Sequence, residues 1–146
     1  MAITTNAIAN SFKKELFEAK HNFTQTSGDQ FKIALYTNSA TLGKSTTSFT
    51  TDHQVSNTGQ YTSGGGKLAK GSQQTSVASS VAIVDFADRS FTGVTLTARG
   101  ALIYNTSNSN TAVAVLDFGG DKTATAGTFT IQFPAFTTSA AILRIS

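Results

Sequence analysis

The stretch "AVAVLDFGGDKTATAGTFTIQFP", residues 112–134, decides how the rest of the chain is read. It runs apolar from Ala112 to Phe118, breaks into Gly119, Gly120, Asp121 and Lys122 with a spray of Thr and Ala, and turns apolar again at Phe129. The break is either a chemical site, such as a phosphate cradle or a metal loop, or structural punctuation. Beyond it, Phe129, Ile131 and Phe133 alternate with Thr128, Thr130 and Gln132, the period of a strand with one buried face. The predicted arrangement is two strands, 111–118 and 128–133, joined by the nine-residue loop "GGDKTATAG". In such a loop the Gly pair opens the turn, and Asp and Thr side chains bond the nearby backbone.

Working outward, strand patterns recur at 81–86, 91–97, 100–105 and 140–145, with turn residues between them. "FKIALYT" alternates Phe31, Ile33 and Leu35 against Lys32, Ala34 and Tyr36, as a half-buried strand should. Short strands at this spacing, with no repeating strand–helix–strand unit, predict a mainly β chain: an antiparallel β-sandwich or barrel. The length of 146 residues suits one domain over 1–146, with the sandwich or barrel at 31–146. Residues 38–66 are rich in Ser, Thr, Asn and Gly and offer little to bury beyond Leu42, Phe49, Val55 and Tyr61. They read as a long irregular surface excursion, a kind of connection that is unusual unless it binds something.

Residues 4–23 read as an N-terminal amphipathic helix. Ile8, Phe12, Leu16, Ala19 and Phe23 recur at helical spacing, Thr4, Thr5 and Asn6 are suitable caps, and Lys14 can pair with Glu18 one turn on.

The candidate chemistry is thin. The chain has no Cys, so a zinc site would depend on His21, His53 and carboxylates, and no metal or cofactor is expected. "LGKSTT" (42–47) resembles the end of a phosphate loop, but Asn38 stands where that motif needs Gly. "TSGGGKLAKG" (62–71) is Gly-rich, yet Ala69 occupies the place of the third glycine of a dinucleotide fingerprint. "VDFADR" (84–89) echoes "LDFGGDK" (116–122), and both read as strand ends whose second Asp is neutralised by the adjacent Arg or Lys. No G-x-S-x-G elbow accompanies either His, and the eight acids form no obvious glycosidase pair. The expectation is a protein without catalysis. Eleven scattered basic residues and a net charge of +3 give no nucleic-acid stripe, and no apolar run reaches the roughly 20 residues of a membrane span. The N-terminus shows no secretory pattern, so a protein acting outside a cell would leave by lysis or in a particle.

The segments "NAIANSFKKELFEAKHNF", "DQFKIALYTNSATLG", "YTSGGGKL", "ARGALIYN", "AVAVLDFGGDKTATAGTFTIQFP" and "AILRI" together resemble a family of small virion proteins of tailed bacteriophages. The similarity covers nearly the whole chain, is densest over 98–134 and is weakest over 44–59. It implies a β-rich virion structural protein, a decoration or cement protein on the outer surface of the capsid that bridges and stabilises capsid subunits. The implied partners are the major capsid protein and further copies of the chain, a trimer being the favoured homo-oligomer. Tail, neck or fibre association is the alternative, and a carbohydrate-binding module on the virion is a second one, with Tyr36, Tyr61 and Tyr104 the only tyrosine stacking platforms. The helix and the 38–66 excursion are the parts expected to reach outward, with Phe12, Leu16, Phe17, Phe49 and Tyr61 as candidate partner contacts.

Overall fold

A computed structural model describes residues 3–69, 74–134 and 136–146. Its spine is one long antiparallel ribbon. β6 (Arg89–Asn105) pairs along its length with β7 (Thr111–Ile131), and residues 106–110 form the turn between them. The expected pairs of short strands, 91–97 with 100–105 and 111–118 with 128–133, are therefore each one continuous strand. The predicted nine-residue loop does not exist.

The Gly-Gly-Asp break is a bulge inside β7. Ala98 pairs with Lys122 and Gly100 with Asp117, so the four residues 118–121 stand opposite Arg99 alone. The extra chain bends the strand without ending it. Asp117 holds the bulge closed: its Oδ1 accepts from the Gly119 backbone N–H at 2.9 Å and from Arg99 Nε at 3.2 Å. Beyond the bulge the Thr residues act as strand formers, since β-branched side chains suit a pleated surface. Thr97 and Thr123 meet through their hydroxyls at 2.9 Å, as do Ser90 and Thr130 at 2.8 Å. Phe129 and Ile131 are buried while Thr128, Thr130 and Gln132 are exposed, as the alternation predicts.

Gly119 has φ +78 with open space around its Cα, so its requirement is purely conformational. Gly119→Ala should cost about 1 kcal/mol because an L side chain resists that backbone region. Gly120→Ala, which lies outside it, should be close to neutral. Chemical denaturation of both variants checks this, and equal effects would count against the bulge geometry.

The ribbon sits in a five-stranded antiparallel sheet of order β1 (Ala7–Ile8), β7, β6, β2 (Phe31–Tyr36), β3 (Gly66–Lys67). A second antiparallel sheet has the order β4 (Gln74–Ala78), β5 (Val81–Asp85), β8 (Leu143–Ile145). The chain is thus mainly β, a β-sandwich-like domain with one short N-terminal helix, α1 (Asn10–Phe17).

That helix is shorter than the 4–23 expected from periodicity. Ala7 and Ile8 pair with Val115 and Ala114 as a strand, so tertiary pairing overrides the helical spacing of Ile8. The helix starts after Ala9, which is extended and makes no side-chain cap. The first helical N–H, that of Asn10, instead donates to the Lys44 carbonyl at 2.8 Å. Thr4, Thr5 and Asn6 are not caps, and the Asn6 side chain accepts from the Asp117 N–H. At the other end Ala19, with φ 56, stops the helix before Phe23.

β2 also departs from expectation, because both of its faces are buried. Register places Phe31, Ile33 and Leu35 beside Asn105, Ile103 and Ala101, and Lys32, Ala34 and Tyr36 beside Tyr104, Leu102 and Gly100. The first face meets the N-terminal aromatics and Phe86, with Phe23 stacked on Phe31 at 4.6 Å. The second is covered by the 38–66 excursion, whose Phe49 stacks on Tyr104 at 4.7 Å. The excursion is a cover of the core. Its Gly-rich end is packed tightly: a Cβ on Gly65 would lie 1.8 Å from the Ile33 carbonyl oxygen.

Candidate functional site: an apolar groove beside the helix

The phosphate-loop-like and Asp-bearing motifs supply local structural contacts, and Lys70 and Gly71 of "TSGGGKLAKG" lie outside the described residues. In "LGKSTT" the Gly43 N–H donates to Thr46 Oγ1 and the Thr46 N–H returns to the Gly43 carbonyl, closing a turn. Asp88 accepts from the Phe133 N–H at 2.8 Å, Asp121 accepts from Asn38 Nδ2 at 3.0 Å, and Asp117 pairs with Arg99. None of these partners is the adjacent basic residue expected from sequence: Asp88 sits in the link between β5 and β6 and Asp121 in the bulge, and each reaches a residue distant in the chain. Arg89 instead lies over the Phe91 ring at 4.6 Å. Among the described residues no group of three or more His, Asp or Glu side chains is placed to hold a metal.

His21 belongs to a buried relay. The Ser107 N–H donates to Asn105 Oδ1, which fixes that amide, and Asn105 Nδ2 then donates to Asp29 Oδ2 at 2.7 Å and to His21 Nδ1 at 3.0 Å. An amide NH₂ only donates, so Nδ1 accepts and the ring hydrogen is assigned to Nε2, which faces Glu15 Oε1 at 3.2 Å. The relay ties α1, the 20–30 segment and the end of β6 together.

The three tyrosines are staples of the excursion. Tyr36 Oη donates to the Thr50 carbonyl and Tyr104 Oη to the Gly64 carbonyl, both at 2.6 Å. Tyr61 Oη accepts from the Leu35 N–H and from Gln54 Nε2, both at 2.8 Å. All three rings are buried, so they offer no stacking platform for a sugar. Burial pushes the Tyr104 hydroxyl up to about 12, from an ordinary value of 10.0, and raises Tyr36 and Tyr61 as well. The unfolded chain loses these protons first. Stability is therefore intact below pH 10 and should fall as pH rises through about 12. Denaturant midpoints across that window check this. Free tyrosinate absorbance at pH 10 in a protein of unchanged stability would contradict it.

The surface feature that stands apart is a groove of about 740 Å³ between α1 and the second sheet. Register puts Thr75, Val77, Ala82, Val84, Leu143 and Ile145 on one face of that sheet. At the inner end Leu143 is buried in the core and Val84 packs against it. At the outer end Val77 is 72% and Ile145 60% exposed, and across the groove Phe17 is 95% exposed. Among the described residues these are the large hydrophobic side chains that lie open, and all of them line this one groove. Lys13 lies on the helix side of the groove, whereas Arg144, paired with Ile83, alternates to the opposite face of the sheet and donates to the Thr138 carbonyl there.

Of the five contact candidates named from sequence, the structure brings Phe12, Leu16 and Phe17 together on the groove, with Phe12 buried at its floor and Phe17 at its rim. Phe49 and Tyr61 do not join them. Phe49 is half-buried on Tyr104, and Tyr61 is buried against Phe91 at 5.0 Å, so Tyr61 is a packing residue and presents nothing to a partner. Val77, Ile145 and Lys13 were not anticipated. The polar segment "QTSVA" carries one large apolar residue, Val77, whose facing depends on its pairing with β5.

No family model, no curated protein and no solved structure matches this chain.

Proposed function

We propose that the chain is a non-catalytic structural protein of a tailed-bacteriophage virion: a decoration or cement protein that bridges capsid subunits on the outside of the head. The sequence resemblance described above supports this. The observation that carries a binding role is the gathering of Phe17, Val77 and Ile145 at one groove, since a contiguous exposed apolar patch marks a contact surface. A two-layer core whose tyrosine hydroxyls staple the excursion, and whose Asp88, Asp117 and Asp121 carboxylates are engaged in local structure, suits a protein that works by adding buried area across a junction. A closed oligomer, a trimer foremost, would engage several sites at once and bind far better than one protomer.

Imaging reconstruction of purified particles, with a labelled antibody against the protein, tests the reading. Density on the outer head surface at symmetry axes is expected. Density confined to the tail, neck or fibres would overturn the cement role in favour of a connector.

A further inference from the structure

We propose that the second sheet is a hinged flap, which opens as one cooperative unit about a cluster of aromatic rings while the first sheet stays folded. Among the described residues of β4, β5 and β8, Ile83 and Leu143 are the buried ones, whereas β2 is buried on both faces. Hollows flank the flap. The groove of about 740 Å³ lies between it and α1. A cleft of about 1110 Å³ lies between it and β7, with Leu116, Phe118 and Phe129 on one wall and Val81, Ile142 and Arg144 on the other. Side chains beside a hollow lack partner atoms there, so strands set between two hollows are held weakly. The turn that closes β4 on β5 weakens them further. It places Ser79 and Ser80 at φ 50 and 66, a region that a residue with a side chain occupies at a cost.

The chain enters and leaves the flap at one place. Leu68, after β3, is fully buried, and its N–H donates to the Phe31 carbonyl at 2.9 Å. Phe86, after β5, is buried with its ring 5.8 Å from that of Phe31 and 5.9 Å from that of Phe133. Asp88 accepts from the Phe133 N–H at 2.8 Å, which ties the exit of β5 to the exit of β7. These contacts form the pivot and are kept when the strands beyond them detach. The rest of the fold has its own supports. The Ala9 N–H donates to the Val113 carbonyl and the Asn10 N–H to the Lys44 carbonyl, the His21 relay ties α1 to β6, and the excursion covers β2. Opening takes Leu143 and Val84 away from the core. The inference does not depend on the virion reading, because it concerns the purified protein alone.

Native-state hydrogen exchange of the full-length protein tests this. The hydrogen-bonded amides of β4, β5 and β8 should exchange together, at least about tenfold faster than those of β2 and the part of β6 paired with it. Ile103→Val, at a fully buried position of the first sheet, should speed exchange in β2 and β6 by about two- to tenfold. It should leave the flap's rate unchanged, because Ile103 keeps its contacts when the flap opens. Leu143→Ala should speed all three flap strands together by about tenfold or more. Flap amides as protected as those of β2, or a flap that responds to Ile103→Val by the same factor as β2, would show a single cooperative unit and overturn the inference. So would flap strands that exchange at unrelated rates and respond separately to Leu143→Ala, since that is fraying from the ends.

Discussion

Asn105→Ala should be among the most damaging single substitutions in the chain, with an expected loss of about 3 kcal/mol and a fall in Tm of roughly 10 °C. Asn105 is fully buried, and its amide serves three partners at once: Asp29, His21 and the Ser107 backbone. Truncation takes this donor from the Asp29 carboxylate, which keeps the Asn22 N–H at 2.9 Å. It also leaves His21 Nδ1 without its donor inside an aromatic cage, with Phe12 4.7 Å away. A buried polar group stripped of its partner costs its full desolvation, and more when it is charged. Asn108→Ala is the control. Asn108 is only half-buried, its side chain makes one bond, donating to the Lys20 carbonyl, and its loss should cost under about 1 kcal/mol. Thermal or denaturant unfolding separates the two, and similar small losses would show that the relay contributes little.

Phe31→Ala should cost about 3–5 kcal/mol, the usual range for deleting a buried aromatic. Phe31 is fully buried and stands where three parts of the fold meet. Its ring stacks on Phe23, tilts against Phe86 at 5.8 Å and faces His21 at 6.5 Å, so it links the sheet to the N-terminal segment and to the end of β5. Phe86 continues the chain of rings to Phe133 at 5.9 Å. A cavity here would be hard to collapse, because its walls are rings held by separate elements. Phe31→Leu, which keeps most of the volume, should recover much of the loss. If the Ala and Leu variants unfold at the same midpoint, packing around Phe31 is not what holds these layers.

What could be read from sequence follows a physical divide. The facing of Phe129 and Ile131 was legible because alternation is local and a one-residue slip would bury Thr128 and Thr130. The Gly119–Gly120 break was not, because a bulge is defined against the partner strand, and nothing in residues 112–134 reveals that Arg99 stands opposite four residues. The helix was legible at Phe12 and Leu16 and overextended at Ile8, whose spacing fits a helix as well as its actual pairing with Ala114. The excursion looked detachable because its apolar residues are sparse. Tyr61 reaches Leu35 across 26 residues, a contact no local pattern announces. Half of the groove was visible as the apolar face of α1. The other half, Val77 and Ile145, is brought there by the pairing of β4 and β8 with β5.

Removal and return of the protein on intact particles tests the proposed role most directly. Heads stripped of it, or assembled without it, should have normal geometry but release their genome at milder heat or osmotic stress. Adding back the purified protein should restore resistance. Bare heads as robust as complete ones, with the missing protein mapped to the tail or neck, would contradict the cement role.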